Sequence, residues 1–193
     1  MVIVDVVERI DKINGNFDMW FRAHERELNN NIRQYYDLKV QSEACNVATD
    51  VAFQRRFSYF YGMRVVSRAH RIPFFQRMEA LKHERPLNVE THTISRDLRP
   101  TMGKNYFSFV TKMLNMLEDD KYPIYDSNVC KVFRGRALYG IETQSEVYSD
   151  IIDTYQHLRN HEILNKYRQE IDCNGVGYMK TLDSIIFEIG RCI

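Results

Sequence analysis

The chain has 193 residues, 44% of them hydrophobic, and a formal net charge of +1 at pH 7. A chain of this length can bury a core of its own, so one domain without a disulfide framework or a structural metal is the simplest prediction. The near-neutral charge excludes the strongly basic surface of a general nucleic-acid coat, and a nucleic-acid site would have to be a local patch.

The cysteines, the histidines and the N-terminal segment bear on metal sites and location. The four cysteines lie far apart, without the spacing of metal ligands. His157 and His161 lack the glutamate of a His-Glu-x-x-His motif, so we predict neither a metal nor another cofactor. Asp5 and Glu8 interrupt the apolar start, and no run reaches the length of a membrane span. We expect a soluble cytoplasmic protein with no membrane partner, and the sequence leaves its oligomeric state open.

Glycine and proline are scarce, at eight and four residues, and the apolar residues recur mainly at intervals of three and four. Both features are typical of helices. We therefore predict an all-α protein in which residues 1–193 form a single domain. An arrangement of two helical lobes, with a cleft near Asp126, is the alternative.

In the N-terminal half, an apolar stripe predicts a helix from Phe17 onwards, with a break or bend at the three asparagines 29–31. The aromatic segment that follows meets Gly62 and Pro73, which predicts two short helices. Residues 86–102 are rich in threonine and arginine and show the weakest periodicity. We expect a long loop or small connecting elements there.

In the C-terminal half, residues 107–117 are apolar around most of the helix circumference and predict a central, buried helix. Its polar residues share one narrow stripe, which suggests a cleft beside it: Ser108, Thr111, Lys112 and Asn115. Thr143 and Glu146 have the spacing of a capping box, so a helix should begin there. Asn174 and Gly175 predict a turn before a final helix.

Asp126 stands where the next helical pattern after residue 117 begins. An aspartate at a helix start accepts backbone N–H bonds and gains from the helix dipole. The residues by themselves therefore favour a helix cap without chemistry.

The stretch around Asp126, "PIYDSNV", follows a helix and a short loop. It resembles the active-site segment of the helix-hairpin-helix DNA glycosylase superfamily, especially the adenine-mismatch and 8-oxoguanine branch. The resemblance implies that Asp126 stays ionised, stabilises the oxocarbenium-like charge as a flipped-out base leaves, and orients the attacking water. The family position of the Schiff-base lysine corresponds to Ser108, with Lys112 one turn later on the same stripe. A missing lysine implies a monofunctional hydrolase, and the alternative is that Lys112 reaches the same point from the next turn.

The resemblance also implies that Asn128 and Tyr125 line the site beside the catalytic carboxylate. Two other parts of the family pattern differ or are absent. The glycine-rich hairpin that holds a DNA phosphate reads "RPTMGKNYFS" here, so Lys104 is the residue left in that region to contact DNA. The iron–sulfur cysteine array of some members is absent, and no cluster is predicted.

A basic and aromatic segment lies between residues 55 and 85. Such a mixture holds phosphates and stacks bases, and Arg64, Arg68 and Arg71 form its sharpest subset because they share a helical face. The alternative is that the aromatic residues are core and the arginines a solvated face.

We predict a DNA-binding protein resembling base-excision glycosylases, and leave open whether it is an enzyme. If it is, it hydrolyses an N-glycosidic bond with Asp126. The alternative is a non-enzymatic DNA-binding or protein-interaction module in which Asp126 only caps its helix. A third hypothesis is a helical structural protein without a nucleic-acid role.

Overall fold

The computed structural model describes residues 17–63, 66–102, 106–134, 141–171 and 175–192. Within these ranges the chain forms nine helices and no strand, which confirms the all-α prediction. The helices are α1 (Phe17–Ala44), α2 (Val51–Phe60), α3 (Arg68–Lys82), α4 (Thr91–Met102), α5 (Phe107–Leu117), α6 (Ser127–Arg134), α7 (Ile141–Leu158), α8 (Glu162–Glu170) and α9 (Tyr178–Cys192). None of them combines the length and apolarity that crossing a bilayer requires.

Helix α1 is continuous, so the predicted break at residues 29–31 is wrong. Asparagine lowers helix propensity by only a fraction of about 1 kcal/mol per residue. Leu28 and Ile32, on either side of the asparagines, are fully buried and hold the same helix face against the core. Burial of that face outweighs the local propensity.

Two helices follow, as predicted, with Gly62 between them. Gly62 has a φ of +69°, which residues with a side chain rarely adopt. Helix α3 begins with Ser67 as its N-cap and continues through Pro73 instead of ending there. Phe74 and Phe75, the next two residues, are fully buried, and their burial offsets the hydrogen bond that the proline removes.

Residues 91–102 form α4, so of the two alternatives predicted for 86–102 the long loop is wrong over most of its length, and a connecting element is present. The buried face of α4 consists of Thr91, Ile94, Ser95 and Leu98. These positions have helical spacing, but two of the four side chains are small and polar. A search for apolar residues at helical spacing therefore does not find this helix, because two of its buried positions are polar.

Helix α5 is the predicted central helix, with every residue from Val110 to Leu117 buried. Helix α7 begins at Ile141, so the predicted start at Thr143 is wrong. The spacing of three in a capping box is also the spacing of one helix face, and it does not distinguish a helix start from its interior.

Asp119, in the loop after α5, fastens that loop to the start of α9. Its carboxylate accepts hydrogen bonds from Lys39 Nζ at 2.7 Å and from the Gly177 backbone N–H at 2.9 Å. Its carbonyl oxygen accepts the backbone N–H of Lys180. Gly175 has a φ of +76°, as the predicted turn requires. These contacts set the position of α9 relative to α5.

Replacing Asp119 by alanine is expected to lower the free energy of unfolding by about 3 kcal/mol, because Lys39 loses its counter-charge and Gly177 its acceptor. The matched control is Asp97→Ala, which removes an exposed carboxylate on α4 and should cost less than about 0.5 kcal/mol. Urea denaturation of the two variants gives the comparison, and equal losses would contradict the structural role of Asp119.

Candidate functional site

A cavity of about 310 Å³ lies beside Asp126. Its walls come from α1, from the end of α2, from α5, from the loop before α6 and from α9. The cavity therefore joins parts of the chain that are more than 100 residues apart, such as Tyr59 and Asp183. It corresponds in place to the cleft that the polar stripe of α5 suggests.

Asp126 has two roles at once. Its Oδ1 accepts the backbone N–H of Asn128 at 2.9 Å, which caps α6. Its Oδ2 accepts a hydrogen bond from Lys112 Nζ at 3.0 Å, inside the cavity. The Lys112 and Asp126 side chains are only 10% and 15% exposed. Oδ1 also accepts a hydrogen bond from the Ser127 hydroxyl at 3.5 Å. A carboxylate oxygen has two acceptor positions, so the position left for a further hydrogen bond is on Oδ2.

Thr111 and Asn115, two other residues of the α5 stripe, hold the loop that carries Asp126. Thr111 Oγ1 accepts the backbone N–H of Tyr125 at 3.0 Å, and Asn115 Nδ2 donates to the Tyr122 carbonyl at 2.7 Å. Both side chains are fully buried. Only Lys112 of the stripe extends to the cavity, and its neighbours determine where the loop lies.

A second ion pair lines the same cavity from α9. Lys180 Nζ lies 3.5 Å from Asp183 Oδ2, and the Tyr155 hydroxyl donates to Asp183 Oδ1 at 3.1 Å. Both side chains of the pair are almost fully buried. Burial raises the pKa of Asp183 to about 6, and burial also lowers the pKa of Lys180. Loss of hydration disfavours the charged form of each partner.

Aromatic side chains surround the two ammonium groups. Lys112 Nζ lies 5.3 Å from the ring centre of Phe109, and Lys180 Nζ lies 5.9 Å from that of Phe60. These distances are those of cation–π contacts. Tyr59 also lines the cavity and is 64% exposed, so its ring is accessible from solvent.

Two buried polar atoms of cavity residues have no hydrogen-bond partner in the described part of the chain. They are the Oδ1 atom of Asn31 and the hydroxyl oxygen of Tyr61. Leaving such a group unpaired costs about 1–3 kcal/mol.

The structure brings together two of the predicted site residues, Asp126 and Lys112. Ser108 does not line the cavity, and its carbonyl accepts a hydrogen bond from Thr111. The Tyr125 ring packs edge-on against Phe107 in the core, because successive side chains of the extended loop point in different directions.

Asn128 contributes its backbone N–H to Asp126, and its side chain does not line the cavity. Arg68 and Arg71 lie on a separate hollow. Arg64 and Lys104 fall outside the described residues.

Sequence reasoning missed the contribution of α9. Lys180, Asp183, Ser184 and Phe187 all line the cavity. They recur at i, i+3, i+4 and i+7, which is the spacing of one helix face. A polar stripe on an apolar helix singled out Lys112, and the same signal is present in α9.

The Asp183 pKa predicts a pH dependence of stability. The folded protein holds this proton up to a pH of about 6, whereas an unfolded aspartate releases it near 3.8. The free energy of unfolding therefore falls as pH rises through this window, by up to about 3 kcal/mol. In Asp183→Asn this titration is absent. Urea denaturation at several pH values gives the free energy of unfolding of both proteins. Between pH 4 and 6 it should fall for the wild type relative to the variant. A difference between the two that does not change with pH would contradict the assignment.

In the described ranges, no three histidine, cysteine, aspartate or glutamate side chains come together in a way that could hold a metal ion. The chemistry available at the cavity is that of two carboxylates, two ammonium groups and aromatic rings. Comparison of the chain with protein-family models, with curated proteins and with solved structures found no match.

Proposed function

We propose that the protein binds DNA and hydrolyses the N-glycosidic bond of a base flipped out of the strand, with Asp126 as the key carboxylate. The observation that carries this proposal is the Lys112–Asp126 pair in a cavity with aromatic walls. The sequence around Asp126 resembles a glycosylase active-site segment, and the cavity supplies the surroundings that such a carboxylate needs.

The size and walls of the cavity support a nucleobase as the ligand. A volume of about 310 Å³ lies at the lower end of the range for small-molecule sites. Flipped-out bases are held by stacking on aromatic rings and by hydrogen bonds to their edges. Tyr59 and Phe60 offer the rings, while Lys112 and Asp126 offer a donor and an acceptor.

The charges of the cavity favour a neutral ligand. Two ammonium groups and two carboxylates line it as paired ions, so their formal charges cancel. A phosphate or a carboxylate ligand would have to displace an existing partner. A neutral base can enter without separating either pair.

The chemistry follows from the position of Asp126. When the bond between C1′ and the base nitrogen breaks, the electron pair leaves with the base and positive charge develops on the sugar. A carboxylate with little exposure stabilises that charge more strongly than one in water. Water oriented by Asp126 then attacks C1′, and its proton is transferred to the departing base, which leaves an abasic sugar.

Lys112 supports simple hydrolysis over Schiff-base chemistry. Its ammonium group lies 3.0 Å from Asp126 Oδ2. An ammonium group in an ion pair has no free electron pair with which to attack C1′. Lys112 instead holds the Asp126 carboxylate in one orientation.

Base release from DNA tests the proposal. A panel of duplexes carries mismatched adenine, 8-oxoguanine, uracil or alkylated bases, and alkali treatment reveals the abasic sites that form. Release of one of these bases by the wild type, lost on Asp126→Asn, would support the proposal. No release from any duplex by folded protein would contradict it.

The helix cap formed by Asp126 supports a second candidate function. Because the Asn128 N–H bond is fully explained by capping, the same scaffold suits a non-enzymatic DNA-binding or protein-interaction module. DNA binding that depends on salt, without base release and equal in wild type and Asp126→Asn, would favour this candidate.

A further inference from the structure

Two surface hollows lie in a row next to the cavity beside Asp126, and each shares lining residues with the space before it. A hollow of about 330 Å³ shares Tyr59 and Phe60 with the cavity. A further hollow of about 170 Å³ shares Arg55 with the second one. The two hollows adjoin at Arg55, and together they form a path that begins at Tyr59, next to the cavity, and ends at the first turn of α3.

Arginine is the dominant charged residue along this path. Arg55 and Arg56 line the second hollow, and Arg55, Arg68 and Arg71 line the third. Among the described residues that line these two hollows, none is acidic. The nearest carboxylate in sequence, Asp50, is occupied as the N-cap of α2 by the Phe53 backbone N–H. Anions are therefore favoured along the path.

The arginines differ in the hydrogen bonds that their guanidinium groups make within the protein. Arg71 donates from Nη1 to Ser58 Oγ at 3.2 Å, while its buried Nε has no partner in the described chain. Arg56 donates to Gln41 Oε1 at 2.6 Å. Arg55 and Arg68 are exposed, and a guanidinium group carries five N–H donors that can bind an anion.

We propose that this path, which we call the arginine track, holds the phosphates of one nucleic-acid strand. The track consists of Arg55, Arg56, Arg68 and Arg71, with Tyr59 between it and the cavity. The inference extends the proposed function, because the strand is the one whose base occupies the cavity. It assigns the phosphate contacts to α2 and α3.

The order of groups along the path favours a nucleic acid over other polyanions. A strand alternates phosphates with flat bases, and single-strand sites combine a basic groove with aromatic rings for stacking. The Tyr59 ring, 64% exposed, lies where the arginine-lined hollow meets the cavity. An acidic peptide would supply the charges but has no regular flat group for this ring.

Binding of a labelled single strand of about 12 thymidines, followed by fluorescence anisotropy between about 50 and 200 mM salt, tests the track. Arg55→Gln/Arg68→Gln should lower the slope of log K against log salt by about 1.4, because each lost phosphate contact contributes about 0.7 on single strands. Tyr59→Ser should weaken binding about tenfold or more through lost stacking.

The matched control is Arg26→Gln/Arg96→Gln, which removes the same charge from exposed positions on α1 and α4. It should leave the slope unchanged. An equal change in both double variants, or no change in the track variant, would overturn the inference. The assay needs no catalysis: a changed slope without base release contradicts the proposed function alone, and base release with an unchanged slope contradicts the track alone.

Discussion

Replacing Asp126 by asparagine is expected to lower the rate of base release by a factor on the order of 10² to 10³, the loss typical for one electrostatic group in a buried site. Asparagine retains the cap, because its side-chain oxygen can still accept the Asn128 N–H. It removes the negative charge that would face the sugar. The measurement is the single-turnover rate of base release from the duplex on which the wild type acts.

The stability of this variant must be separated from its activity. Asp126→Asn leaves the Lys112 ammonium, only 10% exposed, without a counter-charge, and should cost about 2–3 kcal/mol. The double variant Asp126→Asn/Lys112→Gln removes both charges. It should recover most of that loss in urea denaturation while remaining inactive. Recovery of base release together with stability would contradict the catalytic assignment.

A matched control is available in Asp50, which also caps a helix through its side chain. Asp50→Asn makes the same chemical change at the start of α2, outside the cavity lining. It should leave base release unchanged. If Asp50→Asn lowered base release as much as Asp126→Asn, general destabilisation would be the better explanation.

Replacing Gly190 by alanine is expected to lower the free energy of unfolding by about 3 kcal/mol or more. A Cβ atom at Gly190 would lie 2.1 Å from the carbonyl oxygen of Asn128, so α9 and α6 would have to separate. The nearest atoms are all backbone atoms of Asn128 and cannot rotate away, which makes this a severe case of overpacking. The N-terminal end of α6 would move, and Asp126 with it.

The direction of the change in stability on Gly190→Ala distinguishes packing from helix propensity. Glycine inside a helix normally costs about 1 kcal/mol relative to alanine, so propensity alone predicts that the variant is more stable. Cys192→Ala, at an exposed position in the last turn of α9, is the control and should change stability by less than about 0.5 kcal/mol. A Gly190→Ala protein as stable as the wild type would contradict the close contact of α9 and α6.

The sequence predicted helices well where apolar residues made up most of the buried surface. Helix α5 is the clearest case, because eight consecutive residues from Val110 to Leu117 are buried and most are apolar. Prediction was wrong where tertiary contacts override local preference. Asparagines stay helical in α1, Pro73 stays inside α3, and buried threonine and serine hide the period of α4.

For the candidate site, the sequence singled out Asp126 and Lys112 through a helix start and a polar stripe, both of which are local patterns. It did not single out Lys180 or Asp183, which approach the same cavity from another helix. Nor did it show that Tyr59 lines both the cavity and the hollow beside Arg55 and Arg56. Which of the predicted residues share a site depends on how helices pack, and that information lies in contacts between distant parts of the chain.

By itself, the sequence determined the helical class and the placement of an aspartate at the start of α6, because helical periodicity and capping depend on residues within a few positions of one another. The tertiary structure alone decided that this aspartate pairs with Lys112 and that a second ion pair from α9 shares its cavity. It also decided that arginines of α2 and α3 line neighbouring hollows. These are contacts across long sequence distances. They form because the helices bury their apolar faces together, and burial then determines which charges must be paired.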